Sequence, residues 1–270
     1  MEAILFGLFG LIVGSFLNVV ILRFGEKSIG GRSECPSCHR QLHWYDMVPV
    51  LSWVFLRGRC RSCHMRISIQ YPLVEAITGG LFALVGGVAL PMVSTVFALV
   101  IVALLVCISV YDLYHTIIPD QWVWPFSFLA LAFMVSIAPP TTLPAVALTL
   151  AAGVYAALPL FALWFVSRGR WMGFGDVKLA LGIGWLLGPT FGVVAVFFAF
   201  VIGAVISLGI LLPLPYYRRA FARFTPTAAS KKSAEGFTMK SEVPFGPFLI
   251  LSCLSIWFAL LYSIPIPLFS

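Results

Sequence analysis

Three carboxylates in this sequence stand where a charge is expensive to keep. The chain has ten Asp and Glu in 270 residues, and only four of these are Asp. Asp46 lies in a polar loop, whereas Asp112, Asp120 and Asp176 each lie at the end of a hydrophobic stretch. An ionisable group at a membrane boundary is costly, so it marks function by default. Asp112 closes an apolar run, at what would be the negative end of a helix, and there it needs a partner or a proton. Asp176 sits within Gly173-Phe174-Gly175-Asp176-Val177-Lys178, where glycine allows unusual backbone angles and the close approach of another chain. Two adjacent carboxylates share one proton, because both cannot ionise cheaply. The ionised member can then take a proton from water while the protonated member holds a carbonyl oxygen. Asp112, Asp120 and Asp176 are the candidates for such a pair. Asp120 follows Pro119 and reads as a helix-start acid favoured by the macrodipole. Lys178 reads as a headgroup anchor or as a neutralising charge for the site, and the milder reading of Asp176 is a helix cap.

A second constellation is built from thiols. Cys35-Pro36-Ser37-Cys38 and Cys60-Arg61-Ser62-Cys63 are two C-x-x-C knuckles with twenty-one residues between them. Four thiolates in tetrahedral geometry suit zinc, and a closed set of four leaves no open catalytic position. The metal would staple a loop too small to hold a core. His39 and His64 follow the knuckles and complete C-x-x-C-H twice, the pattern of covalent haem attachment, so a two-haem redox protein is the competing reading. Six arginines, from Arg32 to Arg66, hold this loop on the cytoplasmic side, where such attachment does not belong. Two disulfides do not suit that reducing compartment. Cys107 and Cys253 lie in apolar runs and read as packing residues. The stretch His43 to Trp53, between the knuckles, reads as a surface-lying aromatic strip or as packing beneath the metal.

The elements that must position these groups are membrane helices. Hydrophobic residues make up 61% of the chain and charged residues 10%, against about 25% charged in soluble domains. This composition defines an all-α, polytopic integral membrane protein. The net charge of +7 falls in loops, which fits positive-inside topology rather than nucleic acid. Lys and Arg occur only in the blocks Arg23 to Arg66, Arg168 to Lys178 and Arg218 to Lys240. With about 20 apolar residues per crossing, the expected spans are 3–22, 72–90, 93–112, 122–138, 143–166, 177–188, 190–212 and 246–264, eight in all. The first lacks a basic leader and a small-residue exit, so it reads as a retained helix. Threading the eight with the N-terminus outside puts every basic block inside, and it puts Asp112, Asp120 and Asp176 at the same cytoplasmic boundary. Tyr71-Pro72-Leu73-Val74-Glu75 reads as a helix start with Glu75 in its first turn. Asn18 and Arg23 read as a polar lining or anchor, and Thr225 to Glu242 as a mobile loop.

With these residues assembled, the chain resembles the type IV prepilin leader peptidases over nearly its whole length. The resemblance rests on Gly14-Ser15-Phe16-Leu17-Asn18-Val19-Val20, the two knuckles, Trp44-Tyr45-Asp46, Leu56-Arg57-Gly58-Arg59-Cys60 and Tyr71-Pro72-Leu73-Val74-Glu75. It rests also on Asp112 with Pro119-Asp120, and on Gly173 to Lys178. It implies a membrane aspartic endopeptidase of the inner membrane with Asp112 and Asp176 as its catalytic pair. Asp120, Gly173, Gly175 and Lys178 would support that pair, with the two glycines letting substrate approach. Its substrates would be type IV prepilins and pseudopilins, cut after a short basic leader ending in Gly. The resemblance further implies N-methylation of the new N-terminal residue with S-adenosylmethionine. Met47 stands where the resemblance leads us to expect Asn, and the link from Arg23 to Cys35 is short. Because no strand-plus-glycine nucleotide fingerprint is present, the methyl donor rests on resemblance alone. The implied organisation is a first helix over 1–22, a cytoplasmic zinc-binding and methylation loop over 23–71, and a peptidase core over 72–270. The rival from another class is a proton- or cation-coupled transporter using the aspartates as a relay. Relay sites usually lie near the midplane of repeated halves, and this sequence has its aspartates at one boundary and no repeat.

Overall fold

The computed structural model describes residues 1–25, 31–35, 37–211 and 244–264. The expected loop at Thr225 to Glu242 and the third basic block lie outside the described residues. The described chain is helical: α1 (Glu2–Arg23), α2 (Leu51–Phe55), α3 (Gln70–Gly86), α4 (Met92–His115), α5 (Asp120–Ile137), α6 (Leu143–Ser167), α7 (Phe174–Ile206) and α8 (Gly246–Leu261). A 3₁₀ turn over Trp44–Asp46 and a π-helical turn over Ser207–Leu211 complete it. By length and composition, α1, α4, α5, α6 and the α7 segment are apolar enough to cross a membrane, which makes this a multi-pass membrane protein. Eight spans were expected, and this measure of length and composition by itself identifies five among the described residues. The helices α3 and α8 have 17 and 16 residues, short of the ~20 that a bilayer core asks for, and the two expected spans 177–188 and 190–212 fall within the single element α7.

That element is bent back on itself. Gly188 has φ 79° and ψ 177°, a region that only glycine enters without strain, and Pro189 follows it. A methyl on Gly192 would lie 2.8 Å from the Gly184 Cα, whereas residues eight apart on a straight helix are ~12 Å apart. Two legs therefore run against each other, and α6 packs on both. A Cβ at Gly184 would meet Ala152 and Ala156 of α6, and one at Gly192 would meet the same Ala156. Small side chains permit this approach where lipid supplies no hydrophobic drive between helices.

The same device joins α1 to α3. Gly10 faces Phe82, and Gly14 lies so near Glu75 that a Cβ would stand 2.7 Å from the Glu75 Cα. Along this seam Asn18 is 2% exposed and donates to the carbonyls of Gly14 and Tyr71. It is thus a packed seam residue rather than an anchor. Arg23 donates to the Arg32 carbonyl at 3.3 Å. Glu75 lies beyond the first turn of α3, not within it as expected, and accepts the Val50 amide at 2.7 Å and the Ser15 hydroxyl. It ties the cysteine loop to the membrane helices. The apolar core runs through α4, α5, α7 and α8, with Ile101, Leu105, Phe126, Phe133, Ile183 and Leu249 fully enclosed. Cys107 and Cys253 are buried among them, as expected for packing residues.

Candidate active site

The α4–α5 connection places the first carboxylate. Thr116 turns into the left-handed region at φ 53° and ends α4, and its amide donates to the Asp112 carbonyl. Ile117 and Ile118 cross over, and Pro119 caps α5 at Asp120. Asp112 is therefore one turn from the end of its helix, as expected, and it is 4% exposed. Its partner is the start of α8: the Gly246 amide donates to the Asp112 Oδ2 at 3.1 Å. Sequence reasoning missed this contact. Its one local signal is Gly246-Pro247, a helix-start pair, 134 positions from the carboxylate it serves.

Asp176 arrives from the other side. Gly173 caps α7 with ordinary extended angles, φ −73° and ψ 150°, so its place does not depend on glycine's conformational freedom. Gly175 is required for packing. A Cβ there would lie 2.9 Å from that of Ile118 in the α4–α5 turn. The start of α7 thus presses against the α4–α5 turn. Asp176, 8% exposed, then faces the same cavity as Asp112. That cavity holds about 580 Å³ and is lined by both carboxylates, by Ile117 and Ile118, by Arg170 to Gly175, and by Pro244 and Phe245. The two acids are within Coulombic reach of each other. Asp176 accepts no hydrogen bond from the described residues.

The other expected supporting residues stand apart. Lys178 donates to both oxygens of Asp120, at 2.7 and 2.9 Å, and its Nζ lies over the Phe174 ring. Its hydrogen-bond partner is thus Asp120 and not the pair. Asp120 does not line the cavity. The ion pair straps the start of α5 to α7.

The four cysteines of the knuckles converge, with all four sulfurs within 4.8 Å of one another and Cys35 Sγ 3.8 Å from Cys63 Sγ. Thiolates around one tetrahedral ion at Zn–S of about 2.3 Å stand ~3.8 Å apart. The knuckles are built alike. The amides of Cys35 and Cys60 donate to the carbonyls of Arg40 and Met65, and His39 and His64, both at positive φ, close the two turns. Sulfurs gathered at one point could hold one ion and do not suit two separate haems, and the histidines serve as corners. The Cys63 and Ser62 amides lower the Cys60 thiol to about 6, further than burial raises it. Arg40 donates to Ser62 between the knuckles, and Arg61 pairs with Asp46 at 2.8 Å. Trp53 packs on Gly58 and donates to the Ile67 carbonyl, while Trp44 is 76% exposed, so the expected strip divides into one packed and one outward residue.

Fold and site together define a multi-pass helical membrane protein with a two-carboxylate cavity and a four-thiol loop. Residues 8–88 match the bacterial Peptidase A24 N-terminal domain, and residues 97–208 match the Type IV leader peptidase family. A prepilin leader peptidase/N-methyltransferase of Bacillus subtilis (strain 168) is 35% identical over 236 residues, 85% of this chain and 91% of that protein. One of Pectobacterium carotovorum subsp. carotovorum is 33% identical over 205 residues, 67% and 74% of the two chains. One of Aeromonas hydrophila is 29% identical over 283 residues, 95% and 89%. No solved structure matches the chain. The chain belongs to the type IV leader peptidase family, which leaves the transporter reading without support.

Proposed function

We propose that this protein cuts the leader from type IV prepilins and pseudopilins with Asp112 and Asp176 as its catalytic pair. The observation that carries this is the meeting of two nearly buried carboxylates, from the end of α4 and the start of α7, on one cavity. Among so few acids, in a protein so apolar, two side chains are held nearly buried on one cavity. Such a pair, sharing a proton, activates water against an amide carbonyl. Proton transfer of this kind gives ~10²–10⁴-fold, and orientation in the cavity gives more. Arg168, Arg170 and Lys178 surround the start of α7, and the positive-inside tendency supports the cytoplasmic side of the inner membrane as the side of the cavity. A prepilin, itself an apolar helix with a basic leader, would lie beside these helices and present its cleavage site there.

In this reading residues 1–22 are the first membrane helix, residues 23–71 a cytoplasmic loop held by zinc on Cys35, Cys38, Cys60 and Cys63, and residues 72–270 the peptidase core. The closed thiolate set makes the zinc structural. The relatives' names carry N-methylation; that S-adenosylmethionine is the donor and that the loop is the region involved rest on the family resemblance. The described residues offer no strand-and-glycine cradle for that cofactor, so we assign it no binding residue and no step.

The test is mass spectrometry of the N-terminus of a co-expressed prepilin. With Asp112→Asn or Asp176→Asn, at wild-type protein levels, the leader should remain attached, a loss of at least ~10³-fold in rate. Complete cleavage by either variant would remove the pair. The same spectrum reports whether the cleaved pilin carries the 14 Da of a methyl group, an expected mass set by chemistry rather than by the protein.

A further inference from the structure

We propose that the two carboxylates have fixed and different roles: Asp112 is the ionised base and Asp176 the protonated acid, because the start of α8 is built against Asp112 alone. This rests on the peptidase reading and goes beyond it.

The Gly246 amide is the first of α8, one of the donors that a helix leaves unpaired at its positive end. It is buried and donates to the Asp112 Oδ2 at 3.1 Å. An amide aimed at a carboxylate oxygen favours the anion. The approach is close enough to demand glycine: a Cβ at 246 would lie 2.6 Å from that same oxygen and 3.3 Å from Ile118 Cδ1. Asp176 gives up its water with no donor among the described residues in exchange. It does lie in the first turn of α7, where the macrodipole favours an anion, but a hydrogen bond at contact outweighs the dipole term. The other charged and titratable groups nearby leave this asymmetry in place. Lys178 is engaged by Asp120, His115 stacks on Tyr111, and the Arg170 Nε donates to the Ser167 carbonyl.

The steps then run in one direction. Asp112 takes a proton from water as the water oxygen bonds to the scissile carbonyl carbon. Asp176 gives its proton to the carbonyl oxygen. On collapse Asp112 returns its proton to the leaving nitrogen, the C–N bond breaks, and Asp176 recovers its proton from the hydroxyl that becomes the new carbonyl. Both acids end as they began. Gly246 is a positioning residue, and α8 is a working part of the site rather than a scaffold helix.

The experiment is a pH profile of kcat/KM for prepilin cleavage by the full chain in lipid nanodiscs, with an ester replacing the Phe245–Gly246 peptide bond so that only the N–H is lost. If Asp112 is the ionised member, losing the donor makes its first deprotonation harder. The acid limb then rises by roughly one pH unit while the alkaline limb stays, since Asp112 is ionised on both sides of the second step. If Asp176 is the ionised member, the alkaline limb rises and the acid limb stays. That result, no shift, or a shift divided between the limbs would overturn the assignment. Gly246→Ala keeps the N–H but drives a methyl into the carboxylate's place, so kcat should fall at least tenfold at equal protein level with KM near wild type; unaltered kcat would count equally against the proposal. Activity of Asp112→Asn and Asp176→Asn in the same membranes would instead sink the peptidase reading itself.

Discussion

Asp120 shows at the scale of one residue how a carboxylate beside an active site differs from one inside it. It is exposed, it accepts two hydrogen bonds from Lys178, and it stands outside the cavity that Asp112 and Asp176 share. Its ion pair, with Asp120 at 56% side-chain exposure and Lys178 at 21%, is worth about 0–1 kcal/mol after solvent screening. Asp120→Asn should therefore slow cleavage only a few-fold, with a small loss of thermal stability in detergent. Gel analysis of prepilin shortening at matched protein levels measures it, and abolished cleavage would place Asp120 in the machinery. Sequence pattern singled out all three aspartates because each ends an apolar run. It could not rank them, since the ranking depends on which residues face them across the fold: Gly246 for Asp112, Ile118 beneath the turn that carries Asp176, and Lys178 for Asp120.

At the scale of an element, α7 does the most with the least sequence. Its first leg carries Asp176 to the cavity and its second packs against the first, both resting on α6 through Gly184, Gly192 and Ala156. The reversal depends on Gly188 at φ 79° and ψ 177°. Any side chain there is strained by ~1–3 kcal/mol. Gly188→Ala should lower the thermal midpoint of the purified protein and reduce cleavage in proportion to the folded fraction, without changing KM. A wild-type midpoint would mean that the turn tolerates a side chain. Gly188-Pro189 could be read as a break between spans from the sequence. What could not be read is that the legs lie in contact, because that follows from Gly184 and Gly192 of α7 meeting the small Ala156 of α6.

At the scale of the molecule, a membrane core and a thiol-stapled loop are joined at few points. Glu75 of α3 accepts the Val50 amide from the loop, and Phe24, just past α1, packs on Tyr111 and Trp122 of the core. The described part of the loop has little apolar interior of its own, so a metal on its four thiols would supply folding energy. Replacing Cys35 and Cys60 together by Ser should lower zinc, measured by elemental analysis of the purified protein, from about one ion per chain to near none. Protein level should fall with it. Zinc retained at the wild-type ratio would show that these thiols are not its ligands.

The amino-acid order by itself determined the membrane setting, the approximate placement of the apolar helices, the thiol spacing and the family resemblance. These are local properties: apolar run length, charge placement and a few breaker residues decide them within some twenty positions. Only the tertiary structure decided that Asp112 and Asp176 share a cavity, that Lys178 serves Asp120 instead of the pair, and that the last helix supplies the donor to Asp112. Those outcomes turn on contacts between residues 58 to 134 positions apart. They are set by how closely glycine lets helices approach, and no short window of sequence records that.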